Sequence, residues 1–174
     1  MKKSRSDVTR REFLGGIAAT GALTAWMTPL KSQAAPLPLI KPGPLTEGDC
    51  VGLVTPASPV FEPSSVREGE MAMEKLGYRV KVGRNIGRKW GYLAGSDAER
   101  AGDLMEMFLD PEVKAIFALR GGYGTIRMLP LLDYGLIRSH PKILIGYSDI
   151  TSLHLAIHKL AGMVTFHGAV ASST

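Results

Sequence analysis

Apolar and polar positions change their period repeatedly along this chain, and the changes mark out alternating strands and helices. Cys50-Val-Gly-Leu-Val54 is a continuous apolar run of strand length. The Thr55-Pro-Ala-Ser-Pro59 loop follows, and then Val66, Gly69, Met73 and Leu76 recur at helical spacing, with Ser65-x-x-Glu68 as a capping-box pattern in front and Gly77 behind. Residues 78–82 alternate as a strand. Ser96-x-x-Glu99 opens a second helix whose apolar face is Ala101, Leu104, Met105 and Phe108, stopped by Asp110-Pro111. Residues 113–119 form the next apolar strand and run into Arg120-Gly-Gly-Tyr-Gly-Thr125, after which Ile126, Met128 and Leu131 begin a helical segment interrupted by Pro. Ser139-His140-Pro141 breaks the chain. Ile143, Leu144 and Ile145 then predict a strand buried on both faces, and Leu153, Ala156, Ile157 and Leu160 predict a helix capped by Asp149 or Thr151 and ended by Gly162. Residues 163–166 predict the last strand, with His167-Gly168 at its end.

This β-α-β-α-β-α-β-α-β order, with no internal repeat, predicts the α/β class: a mostly parallel, doubly wound sheet with helices on both faces. Ligands of such sheets bind beyond the carboxyl ends of the strands. Residues 56–58, the 121–124 turn, Ser148 and His167 are expected to gather there. Gly146 is expected to take a turn conformation closed to other residues.

Composition changes this picture only at the N-terminus. With 174 residues, 45% hydrophobic and 21% charged, the chain suits one domain with a sizeable core. Residues 1–34 differ: Lys2, Lys3 and Arg5 lead to Thr9-Arg-Arg-Glu-Phe-Leu14, followed by a mildly apolar run rich in Gly, Ala and Thr and by Ser32-Gln-Ala34. This resembles a twin-arginine export signal cleaved near Ala34, so the twin-arginine machinery is the expected export partner and the periplasm the expected location. The run is too weakly apolar for a permanent span. Residues 35–48, rich in Pro and Gly, read as a linker, and 49–174 as the folded domain. Residues 1–34 hold six Lys/Arg against two Asp/Glu, so of the 21 basic and 16 acidic residues the remainder keeps 15 and 14. The net charge of +5 therefore belongs to the leader and gives no reason to expect nucleic acid or an anionic membrane as partner. Cys50, the single cysteine, excludes an internal disulfide and a Cys-based metal cluster within one chain.

The candidate chemistry centres on Ser148. Strand, sharp turn and helix with Ser at the apex make the geometry of a nucleophile elbow, although Ile150 stands where G-x-S-x-G has its second Gly. A helix-capping Ser is the plain alternative. Gly121 or Gly122 could turn an N–H toward an oxyanion beside Ser148, paired with the N–H of Asp149, or the turn could simply need Gly. As a dinucleotide motif it is weak, because Arg127 occupies the third Gly position, and a cofactor-binding Rossmann protein ranks third among the readings. His154 and His158 have i, i+4 spacing, but no third ligand accompanies them, so no metal is expected. His140 precedes Pro in a surface turn, and His167 is placed to touch substrate or to hold the elbow loop. Arg84, Arg88, Lys89, Trp90 and Tyr92 form a basic aromatic loop that either faces substrate or is a solvated surface loop.

From about residue 44 onward, Gly48-Asp49, Val54-Thr-Pro-Ala-Ser-Pro59, Tyr92-Leu-Ala-Gly95, Asp110-Pro111, Arg120-Gly-Gly-Tyr-Gly124, Gly146-Tyr-Ser-Asp-Ile-Thr151 and Thr165-Phe-His-Gly168 together resemble the N-terminal half of the LD-carboxypeptidase family of serine peptidases. That resemblance implies a Rossmann-like domain akin to class I glutamine amidotransferases, with Ser148 as nucleophile and the N–H groups of Asp149 and of Gly121 or Gly122 as oxyanion hole. It implies no cofactor, a murein tetrapeptide substrate losing its terminal D-Ala, and a homodimer as candidate assembly. A relative that detoxifies microcin-type peptidyl-nucleotides leaves the substrate open. The family takes its Glu and His from a C-terminal domain with no counterpart in these 174 residues. None of the four His matches that His, so a binding module without turnover is the alternative to an enzyme.

Overall fold

The computed structural model describes residues 37–169 and residue 171; the expected twin-arginine signal and its expected cleavage near Ala34 lie outside the described residues. The elements are β1 (Cys50–Val54), α1 (Ser64–Lys75), β2 (Arg79–Val82), α2 (Asp97–Leu109), β3 (Val113–Ala118), α3 (Thr125–Met128), α4 (Tyr134–Ser139), β4 (Ile143–Gly146), α5 (Thr151–Ala161) and β5 (Phe166–His167). A 3-10 turn over Leu129–Leu131 links α3 to α4, and another over Ser148–Ile150 leads into α5. All five strands are parallel, in the order β2-β1-β3-β4-β5. This is the doubly wound α/β sheet that the alternation predicts.

Strand alternation divides the core between the two faces. Cys50, Val54, Ile116, Ala118 and Leu144 join Leu104 and Phe108 of α2, Met128, Ile137 of α4, and Leu153 and Ile157 of α5 in one cluster. Val51, Leu53, Ala115 and Leu119 face the other way onto Met73 of α1. The predicted double burial of β4 is thus only half met: Leu144 is buried, whereas Ile143 and Ile145 are half-buried. The cause is unequal cover. Among the described residues α2 to α5 share one face and α1 alone packs on the other. No described helix is long and apolar enough to cross a membrane.

Three local expectations need correction. The capping box at Ser65-x-x-Glu68 does not form. α1 starts two residues earlier, with Pro63 rather than Ser65 as its N-cap, in helical conformation and with no side-chain cap, because proline's φ already suits a first turn. The box at Ser96 and Glu99 does form: Ser96 Oγ accepts the Glu99 N–H at 3.2 Å, and the Glu99 carboxylate accepts the Ser96 N–H at 2.8 Å. The last strand is Phe166–His167 rather than 163–166; Met163 instead bridges Ile40 in parallel and is buried in the larger cluster. Ile40 donates to Gly162 O at 2.8 Å and accepts from Val164 N at 2.9 Å, so this part of the stretch whose composition reads as linker is tied to the segment between α5 and β5.

Candidate active site

The carboxyl ends of β1, β3 and β4 bring three loops together, as the sheet order requires, because the chain reverses direction of travel between β1 and β3. Ser148 follows β4 and is exposed. Its φ is 62°, and no other non-glycine among the described residues has a positive φ. An L-residue held there costs about 1–2 kcal/mol. The strain is the mark of a sharp strand-to-helix turn that thrusts the side chain outward.

Gly146 was expected to supply the left-handed conformation; the structure assigns that to Ser148 instead. Gly146 remains in β4 and is needed for space: a Cβ there would lie 2.9 Å from Ile150 Cγ2 and 3.1 Å from Ala118 Cβ. Ile150, at the motif's second Gly position, is fully buried beneath the turn. Its branched side chain therefore wedges the elbow from below.

Neither Asp149 nor Thr151 caps α5, whose N-cap is Ile150 without a side-chain bond. The Asp149 carboxylate turns to the next loop and accepts the Thr125 N–H at 2.9 Å and the Thr125 hydroxyl at 2.9 Å. That link between elbow and Gly turn is missed by reading helix caps alone. An Asp beside the Ser and a Thr opening the next helix are its only trace in sequence.

The two candidate glycines face different neighbours. A Cβ on Gly121 would stand 3.0 Å from Ser148 Cβ and 3.4 Å from Ser148 Oγ, so the backbone of Gly121 lines the serine. Gly122 lies against Ser58, which a Cβ would meet at 2.3 Å, and has φ 125°. Ser58 ties down this turn: its Oγ accepts the Tyr123 N–H at 3.2 Å and its own N–H donates to Gly121 O. The N–H groups of Gly121, Gly122 and Asp149 make no hydrogen bond with any described residue, which leaves them available to a ligand oxygen.

The histidines play other parts. His154 is buried under the elbow with Nε2 2.9 Å from Gly146 O; a carbonyl only accepts, so Nε2 carries the proton. Burial holds its pKa below the usual imidazole value, which keeps it neutral. Its ring lies 6.1 Å from that of His167, which also stands edge-on to Tyr147. His158 is exposed on α5, and His140 bonds the Leu136 carbonyl. Among the described residues no group of three or more His, Cys, Asp or Glu could hold a metal ion, and none accepts a hydrogen bond from Ser148 Oγ.

Beside the elbow, the basic aromatic loop meets the Gly turn. Tyr92 packs edge-on to Tyr123 with ring centres 6.4 Å apart, and Arg127, paired with Asp97, lies 5.9 Å over Trp90. Tyr92, Tyr123, Gly124, Ile126, Arg127 and Asp149 line a cleft of about 520 Å³. Arg84, Arg88 and Lys89 are exposed, Arg84 pairing with Glu106.

Comparison with known proteins matches residues 51–168 to the family described as LD-carboxypeptidase N-terminal domain. A probable murein peptide carboxypeptidase of Bacillus subtilis is 50% identical over 133 residues, covering 76% of this chain and 41% of that protein. The microcin C7 self-immunity protein MccF of Escherichia coli is 33% identical over 127 residues, covering 72% of this chain and 37% of that protein. Among solved structures, an MccF-like protein from Bacillus anthracis superposes with a TM-score of 0.74 at 35% identity, covering 77% of this chain and 41% of its own. The chain thus spans about two fifths of the length of the relatives it matches.

Proposed function

This chain belongs to the LD-carboxypeptidase family, and from that premise we propose that it is the nucleophile-bearing domain of a serine carboxypeptidase that releases the terminal D-Ala from murein tetrapeptides across an L-to-D bond. The observation that carries the reading is Ser148, held at φ 62° between β4 and a helix, with Gly121 against its side chain. Ser148 Oγ attacks the scissile carbonyl, and the N–H groups of Asp149 and of Gly121 or Gly122 receive the oxyanion. His154 is spoken for by the Gly146 carbonyl, so the base comes from a further domain of the kind that relatives have room for. The precursor is exported to the periplasm by the twin-arginine route.

A second reading rests on the aromatic cleft at Tyr92 and Tyr123 and on the similarity to MccF: hydrolysis of a peptidyl-nucleotide by the same serine. One assay separates the two. Release of D-Ala from a diaminopimelate tetrapeptide, and of amino acid from a peptidyl-nucleotide, is measured for the chain alone and for the chain joined to a family C-terminal domain, each with and without Ser148→Ala. The joined protein is expected to release D-Ala only with Ser148 intact, and the chain alone to be slower by several powers of ten. Release that survives Ser148→Ala overturns the assignment; turnover of the nucleotide substrate alone favours the second reading.

A further inference from the structure

The peptide group joining Gly124 to Thr125 is held at both ends by charged side chains from opposite sides. Its carbonyl accepts from Arg100 Nη1 at 3.0 Å, and its N–H donates to Asp149 Oδ2 at 2.9 Å. Arg100 reaches up from α2 with its side chain fully buried; the same Nη1 donates to Pro56 O at 2.6 Å, and Nη2 pairs with Asp97. Asp149 follows Ser148 directly and takes the Thr125 hydroxyl on the same carboxylate. Resting on the reading of Ser148 as nucleophile, we infer that Arg100 and Asp149 are positioning residues: together they clamp the 124–125 peptide and so hold Gly121 in place beside Ser148.

Stability alone is a poor reason to bury a guanidinium. Desolvating it is costly, a well-packed apolar side chain would stabilise as well, and here Nε has no partner among the described residues. What the planar fork supplies is geometry, since one nitrogen pins the loop after β1 and the turn after β3 to a common point. The 121–124 turn contains three glycines and would otherwise be soft. Ser58 fixes its near side and the clamp its far side. The Asp149 link adds a second effect. The residue that offers one N–H toward an oxyanion is tied by its carboxylate to the turn that offers the other, so the two donors keep their spacing.

The test compares Asp149→Ala, which removes the acceptor of both Thr125 donors, and Arg100→Lys with Ile157→Val, a core substitution away from the clamp. Glycine amides are followed by ¹⁵N NMR in this chain, and D-Ala release in the protein joined to a family C-terminal domain. Both clamp variants are expected to shift or broaden the Gly121 and Gly122 amides while Gly43 and Gly77, away from both clamp residues, hold still. They are expected to lower kcat roughly tenfold to a hundredfold with KM within about twofold, the size of effect that small misplacements have. Ile157→Val lowers Tm without either response. Unmoved Gly121 and Gly122 amides in Asp149→Ala, or the same movement in Ile157→Val, overturn the clamp. Should Arg100→Lys not fold, Asp149→Ala, at a half-buried position, decides alone. If the joined protein releases no D-Ala with all residues intact, the catalytic reading falls, and the clamp is still judged by the glycine amides.

Discussion

A left-handed serine stores strain that substitution can release. Glycine at 148 would occupy φ 62° without a Cβ clash, whereas alanine would keep the clash and lose only the hydroxyl. Against glycine's larger unfolded-state entropy, the net gain for Ser148→Gly is about 0.5–1 kcal/mol, or roughly 2–4 °C in Tm. Ser148→Ala should bring no such gain. Differential scanning calorimetry of the two variants checks this, and a glycine variant melting below the alanine one would sink it. A residue whose removal stabilises the fold is one kept for what its side chain does.

At the scale of elements, Lys142 closes α2 from a distance. Its Nζ donates to Met107 O at 3.0 Å and to Asp110 O, satisfying carbonyls that a helix C-terminus leaves bare. Burial lowers its pKa from 10.5 to about 8, with Lys114 and Lys81 pushing the same way and Asp110 and Cys50 against. The folded protein therefore holds this proton less tightly than the unfolded chain, and unfolding takes up a proton between about pH 8 and 10.5. Its contribution to stability rises with pH across that window and is constant below it. Lys142→Met should lower stability overall, by about 1–3 kcal/mol for the orphaned Met107 carbonyl, Asp110 O keeping the Val113 N–H, and remove that rise. Urea melts at pH 7.5 and 10 read the difference between the two proteins; equal slopes with pH would refute it. Elements of this kind differ in how plainly the sequence shows them. The strands, the box at Ser96 and the stop at Asp110-Pro111 were legible because each is written in neighbouring residues. Lys142 on α2, Asp149 on Thr125 and Arg100 on two loops were not, because each partner lies more than twenty residues away. Ser148 was legible as an apex, yet the wrong residue was given its backbone conformation, since a glycine two positions earlier offered the easier explanation. That glycine answers to Ile150, a steric need invisible without the fold.

For the whole molecule, the proposed export depends on a segment separate in composition from the domain it precedes. Replacing Arg10 and Arg11 by Lys should leave the precursor uncleaved in the cytoplasm, as read by fractionation and immunoblot; unchanged periplasmic yield would remove the proposal. The strand order bears on how the domain is made. β1 finds β2 after one helix, but its other neighbour, β3, arrives only after the excursion through α2, and β4 and β5 add later still to the free side of β3. Every parallel pairing closes a long loop, which slows folding and leaves an open edge meanwhile. On the ribosome the chain therefore lays down its sheet outward from β1, and the turn at Ser148, which needs Ala118, Ile150 and Thr125 already in place, is among the last parts to form. Until then the nascent chain carries a relaxed serine, and its strained conformation comes into being only when the fold that restrains it is nearly complete.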